Sequence, residues 1–171
     1  MAPRIRQLAA RQLQQVAKLV DVNFITDFAY LFPTLVMCDM LGMEEGEFSW
    51  ELLAELNQAV ADTFPVFETR ALEPQELALA NQQMDFLTEF FDDLFQRRKK
   101  TPRDDLTTAM VYAGDGEDAL TQEELSTSVI GLFGAGFETT AHMIGNGIFC
   151  LGANPEERVK LPVSYTHLTL P

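Results

Sequence analysis

The chain has 171 residues, 47% of them apolar, and a formal net charge of −14. That length and apolar content suit one domain, or part of one, with a real core, and exclude a disordered polymer. The acidic balance excludes nucleic acid as a partner, since phosphate binding needs a basic face.

Nearly every segment has helical period. Arg4 to Leu19 sets Ile5, Leu8, Leu13, Val16 and Leu19 near one side, opposite arginines and glutamines, and predicts an amphipathic helix. Phe24 to Leu41 is almost wholly apolar and contains Pro33, which predicts a buried helix with a kink or a late start. Phe48 to Thr63 predicts a third helix, carrying Leu52, Leu53, Leu56 and Val60. Phe64 to Glu73 holds Pro65 and reads as a loop, in which Phe64, Val66 and Phe67 suit an apolar entrance or a surface cap equally well.

Pro74 suits the first turn of the next helix, with Glu73, Gln75 and Glu76 at its positive end. Its apolar seam is Leu77, Ala80, Met84, Leu87, Phe91 and Leu94, and it is expected to pack across the glycine-rich helix described below. The basic run Gln96 to Lys100 reads as the cationic C-terminus of that helix. "TPRDDLTTAMVYA" predicts a short helix after a turn, and Gly114 to Ala119 an acidic loop. Thr121 with Glu124 three residues on forms a capping box, from which a helix is expected to run from about Gln122 to Leu151. Pro155 opens one more helix. With no strand pattern and no repeat, the fold class is all-α.

Thirteen phenylalanines against one tryptophan and three tyrosines predict a large, dry, aromatic interior. Cys38 and Cys150 lie in apolar helical patterns without metal-ligand spacing and read as buried thiols of a reducing compartment. Met1 to Val20 carries arginines throughout and no apolar signal-peptide core. Glu138, His142 and Asn146, four apart, put a polar stripe on the longest apolar stretch, so no membrane span is expected. A cytoplasmic location is the expectation.

"GLFGAGFETTAHMIGNG", Gly131 to Gly147, sets five glycines in a predicted helix interior. Each costs roughly 0.8–1 kcal/mol against alanine. Glycine is useful there where something must come close to the backbone. Gly131, Gly134, Ala135 and Gly136 then form a shelf, and the Thr139 hydroxyl, four residues past Ala135, either bonds back to the Ala135 carbonyl or releases it and bends the helix. Glu138 adds an acid. The same pattern also suits plain helix–helix packing, with Glu138 and His142 as a structural pair.

"AGFETT", Ala135 to Thr140, resembles the central helix motif of cytochromes P450. The setting matches as well: "DDLTTAM" and "LTQEEL" precede it, and "DFAYLFPTLVMCDMLGM" is similar to the family's E helix, with Leu31 in place of the first proline of a Pro-x-Pro core. The resemblance covers roughly Pro3 to Leu161, the D to J helices, and implies a partial P450 fold.

It implies a haem-thiolate monooxygenase using haem b, O2, a small apolar organic substrate and a ferredoxin-type or other electron donor. By motif, Thr139 would be the alcohol beside the oxygen or its water, and Glu138 would gate proton delivery, with His142 or water as a relay. Gly131, Ala135, Gly136 and Thr139 would border the haem, and Gly134 with Ala135 the substrate. Neither Cys38 nor Cys150 lies in the family's cysteine loop, and "EERVK", Glu156 to Lys160, is a poor match to its Glu-x-x-Arg pair. The chain is therefore expected to be an internal P450 stretch, inactive alone. A non-enzymatic all-α ligand-binding or interaction domain is the alternative. The last ten residues, Pro162 to Pro171, resemble a translated adaptor or vector read-through; helical period is expected to stop at Leu161, and His167 carries no role.

Overall fold

The computed structural model describes residues 2–44, 46–113 and 119–165. Among the described residues seven α-helices follow one another: α1 (Ala2–Val16), α2 (Leu31–Met40), α3 (Trp50–Thr63), α4 (Pro74–Lys100), α5 (Leu106–Val111), α6 (Gln122–Ala153) and α7 (Pro155–Tyr165). A π-helical turn (Ile25–Ala29) leads into α2, and a 3-10 turn (Phe64–Phe67) leaves α3. No strand occurs among the described residues. The all-α expectation holds, and the acidic loop at 114–118 lies outside the described residues.

The helix starts obey local chemistry. Thr121 Oγ1 accepts from the Glu124 N–H at 3.2 Å, and the Glu124 carboxylate accepts from the Thr121 N–H at 2.9 Å, the reciprocal cap the sequence predicts. Asp105 caps α5 by accepting from the Thr108 N–H at 2.7 Å. Pro33 falls in the first turn of α2, where its missing N–H removes no bond within that helix; the chain is helical from Phe24, with a π-helical turn in place of regular α-helix just before α2.

α3 packs along α4, and α2 along α6, which α4 also crosses. Their shared core joins Leu53, Leu56 and Val60 of α3, Leu87, Phe91 and Phe95 of α4, Leu35 and Cys38 of α2, and Val129, Phe133 and Phe137 of α6. Phe91 meets Phe133 with ring centroids 5.7 Å apart, and Phe133 meets Phe137 at 5.4 Å, the aromatic interior the composition predicts. Each fully buried phenylalanine contributes roughly 1.5–3 kcal/mol.

Several expectations need correction. α1 ends at Val16, leaving Leu13 and Leu19 exposed, because the Gln12 amide turns inward and donates to the Asp27 carbonyl at 2.9 Å. Leu77 and Met84 are exposed while Ala80, Leu87, Phe91 and Leu94 are buried, so the α4 seam is continuous only from Leu87 onward. Cys150, near the end of α6, is exposed; Cys38 is buried as expected. α7 continues past Leu161 to Tyr165. Residues 166–171, with His167, lie outside the described residues.

The basic run also holds more than a helix terminus. Arg98 is fully buried; its Nε donates to Asp105 Oδ2 at 2.5 Å and its Nη2 donates to the Gly42 carbonyl. Gly42 has φ of +76°, a left-handed conformation that suits glycine, and Asp105 packs where a Cβ would sit. Burial opposes the charge on Asp105, but the Thr108 N–H and the Arg98 guanidinium outweigh it and hold the carboxyl below its usual range. This knot ties the end of α4 to the α2–α3 connection, and so steadies the long helix that forms one wall of the site.

Candidate active site

The glycine-rich stretch of α6 forms one wall of an apolar cavity of about 430 Å³. Thr127, Gly131, Ala135 and Thr139, four residues apart, all reach it, together with Ile130 and Gly134. α4 supplies Ala80, Asn81 and Met84 opposite, α3 supplies Val60 and Thr63, and the 3-10 turn closes one side with Phe64, Val66 and Phe67. That turn follows α3 directly because Pro65 removes an N–H the helix would need.

Five glycines in one helix have two physical reasons. Gly134 and Gly136 are contact points: a Cβ on Gly134 would lie 2.8 Å from Val60 Cγ1, and one on Gly136 would collide with Met37 Sδ. Gly145 similarly admits Ile25 Cδ1 of the π-helical turn at 2.9 Å. Gly131 and Gly147 are different, for a Cβ on either would meet no protein atom within 4 Å. Gly131 therefore offers bare backbone to the cavity.

The structure brings Gly131, Gly134, Ala135 and Thr139 together and separates Gly136 from them. Gly136 packs on α2, because one residue past Ala135 the helix has turned about 100° away. The Thr139 hydroxyl donates to the Ala135 carbonyl at 2.8 Å, and Thr140 does the same to Gly136 at 3.0 Å. Of the two options the sequence leaves for Thr139, back-bonding is realised, and α6 is α-helical throughout. The hydroxyl oxygen keeps its lone pairs for a group in the cavity.

Glu138 is half-buried, and its Oε2 is fully buried without a hydrogen-bond partner. A buried carboxylate oxygen left so is costly, which marks Glu138 as a group awaiting a partner. His142 does not supply it: the ring Nε2 lies 3.0 Å from the Tyr30 hydroxyl, edge-on to the phenol. Tyr30, Asn81 and Met37 carried no signal in the sequence, and Val60 only that of a helix face, because each acts across space from another segment.

Cys38 does not fit an iron ligand. It is 1% exposed in the core, and burial pushes its thiol up to about 12, whereas a metal ligand must be a thiolate. Cys150 lies eleven residues past Thr139, roughly 16 Å along the helix.

The family model for cytochrome P450 matches residues 4–161. The mycinamicin IV hydroxylase/epoxidase of Micromonospora griseorubida is 31% identical over 162 residues, covering 94% of this chain and 38% of that protein. The biotin biosynthesis cytochrome P450 of Bacillus subtilis is 31% identical over 159 residues, covering 93% and 38%. Among solved structures, a myxobacterial cytochrome P450 with myristic acid superposes with a TM-score of 0.80 at 29% identity, covering 94% of this chain and 38% of that one. A cytochrome P450 bound to an acyl carrier protein carrying hexadec-9Z-enoic acid gives 0.78 at 29%, covering 93% and 39%. The chain thus spans under two fifths of the length of these relatives. No helix among the described residues is long and apolar enough to cross a membrane. With the family's fold over nearly its whole length and its motif on a cavity wall, the chain belongs to the cytochrome P450 family.

Proposed function

We propose that this chain is the internal, oxygen-side portion of a haem-thiolate monooxygenase, and that Thr139 and Glu138 manage protons there. The observation that carries the reading is the stripe of Gly131, Ala135 and Thr139 on one apolar cavity; Glu138, one turn past Gly134 on the same helix, does not line it but has a buried carboxylate oxygen without a hydrogen bond. When bound, haem b would supply activation of O2 for insertion of one oxygen atom into an organic substrate, the other leaving as water.

The chain's own residues set the conditions. The bare backbone at Gly131 and the small side chain of Ala135 leave room at the wall. Thr139, oriented by its bond to the Ala135 carbonyl, presents an acceptor oxygen to a water or hydroxyl in the cavity. Glu138 holds the proton one residue earlier and passes it on through water, while the apolar walls limit competing water. Gly134 and Ala135 border the substrate; Gly136 would contribute backbone only, since its Cβ position faces Met37.

A small apolar substrate suits this lining, and two similar structures hold ligands with long apolar chains, a fatty acid and a carrier-bound fatty acyl group. O2 and an electron donor, of ferredoxin type or another, complete the reaction. The chain by itself is proposed inactive: supplied with haem, reduced and exposed to carbon monoxide, it should lack the red-shifted Soret band of thiolate-ligated ferrous haem. Residues 162–171 are proposed to be a non-native tail.

The test uses the longer enzyme that contains this stretch. Thr139→Ala should keep haem and substrate binding but release peroxide in place of product. Glu138→Gln should slow turnover, because a neutral amide of equal size replaces the acid. If Thr139→Ala forms as much product per donor consumed as the parent, the assigned role is wrong and the stretch only packs helices.

A further inference from the structure

The chain's charge is unevenly spread. Its first twenty residues carry four cations, Arg4, Arg6, Arg11 and Lys18, and no acid, while the rest carries eight cations and all 26 acids. α1, which holds the three arginines, packs on α2. Between them lie two adjoining hollows of about 300 and 580 Å³ that share Arg11 and Leu35. α1 adds Arg4 and Gln7 to the smaller hollow, and Leu31 of α2 and Trp50 of α3 border the larger. Asp39 is the one acid in either lining, and the Arg4 Nε pairs with it at 2.6 Å. Trp50, the chain's single tryptophan, is 57% exposed, and neither its indole N–H nor the Gln7 amide has a hydrogen-bond partner among the described residues. A large aromatic side chain left in water beside cations is a feature of contact surfaces.

We propose that this groove docks a short acidic segment of a partner protein, its carboxylates meeting Arg4 and Arg11 and one apolar side chain resting against Leu31, Leu35 and Trp50. The groove shares no lining residue with the apolar cavity, so the proposal stands apart from the oxygen chemistry. Arg4 and Arg11 are both exposed, and a guanidinium bonds a carboxylate through two parallel N–H groups. The Gln7 amide and the Trp50 indole add neutral donors for the same oxygens. A basic segment would face those cations with only Asp39 to attract it, and Arg4 holds Asp39. The acidic remainder of the chain limits the partner's extent. A membrane surface or a nucleic acid presents a long run of negative charge and would meet those acids as well as the groove, whereas a short segment engages the groove alone.

Trp50 is also the reporter, since its fluorescence is the only tryptophan signal in the chain. The full 171-residue chain is titrated with tryptophan-free peptides in which a pair of leucines is flanked by glutamates, by glutamines or by lysines. The glutamate peptide is expected to shift Trp50 emission to the blue and to bind about tenfold more tightly than the glutamine peptide, while the lysine peptide gives no shift. Raising salt from about 0.05 to about 0.3 M should weaken the glutamate peptide about threefold or more. Gln7→Glu, which puts an acid in the groove without breaking an ion pair, should weaken it about threefold, and Arg4→Gln combined with Arg11→Gln about tenfold. Lys100→Gln, which removes a cation at the exposed end of α4, should leave it unchanged. If the double arginine variant loses its helical circular dichroism, Gln7→Glu against Lys100→Gln decides. The proposal is overturned if the glutamine or lysine peptide binds as tightly as the glutamate peptide, if no peptide moves Trp50, or if Gln7→Glu and Lys100→Gln act alike. A Trp50 shift with phosphatidylglycerol vesicles and none with the glutamate peptide overturns it as well.

Discussion

Along α6, every buried residue lies between Leu125 and Ala141, and none lies from His142 to Ala153, although that second stretch carries Met143, Ile148, Phe149 and Leu151. Phe133 is 0% exposed and Phe149 77%. The first stretch packs on Met37 of α2, Val60 of α3 and Phe91 of α4, whereas the second meets Tyr30 at His142 and Ile25 at Gly145, near its start. Burial is therefore set by what stands opposite a residue and not by its own apolarity. An exposed apolar run of this kind marks a contact surface, which accords with a chain spanning under two fifths of its relatives' length.

The largest effect should come from cutting equal side chains in the two halves. Phe133→Ala leaves a cavity between α4 and α6 and should cost about 3–5 kcal/mol in urea unfolding. Phe149→Ala should stay within about 0.5 kcal/mol. Equal losses would mean that the second half is packed as tightly as the first.

Glycines sharpen the same contrast at the next scale. Gly134→Ala forces a Cβ against Val60 and should destabilise by about 1–3 kcal/mol. Gly131→Ala meets open space and should stabilise the chain by about 0.8–1 kcal/mol through helix propensity alone. The same change should impair the longer enzyme, because it puts a methyl on the cavity wall. A stabilised and fully active Gly131→Ala enzyme would show that bare backbone is not needed there.

The smallest effect concerns the first turn of α6. Bonds from the Thr121 N–H and the Thr121 side chain hold the Glu124 carboxyl below its usual value of 4.5. Its folded value is depressed, so its contribution is complete above about pH 4.5 and is lost as pH falls through the lower folded value. Hydrogen-exchange protection of the Glu124 amide, corrected for intrinsic rate, should fall over that acid window. Thr121→Ala should remove the effect, and protection at Phe133 should not change.

Much of the architecture was legible because its causes are local. Pro74 and Pro155 mark helix starts, and the Thr121–Glu124 cap sets where α6 begins. The back-bond from Thr139 to Ala135 was one of two readable options, since four residues make one turn. Less legible was the burial of Arg98, which sits in a run of cations but is claimed by Asp105 and Gly42 from other segments. Gly136 and Gly134 looked alike in the sequence, and their partners proved to be on different helices.

By itself, then, the sequence determined the all-α class, most helix starts and the family motif, because period, caps and prolines act within one or two turns. Only the tertiary structure decided which face of α6 lines the cavity, that His142 is engaged by Tyr30, and that Cys150 stands exposed. Those outcomes depend on which side chain arrives from a distant segment, and no local pattern encodes that arrival.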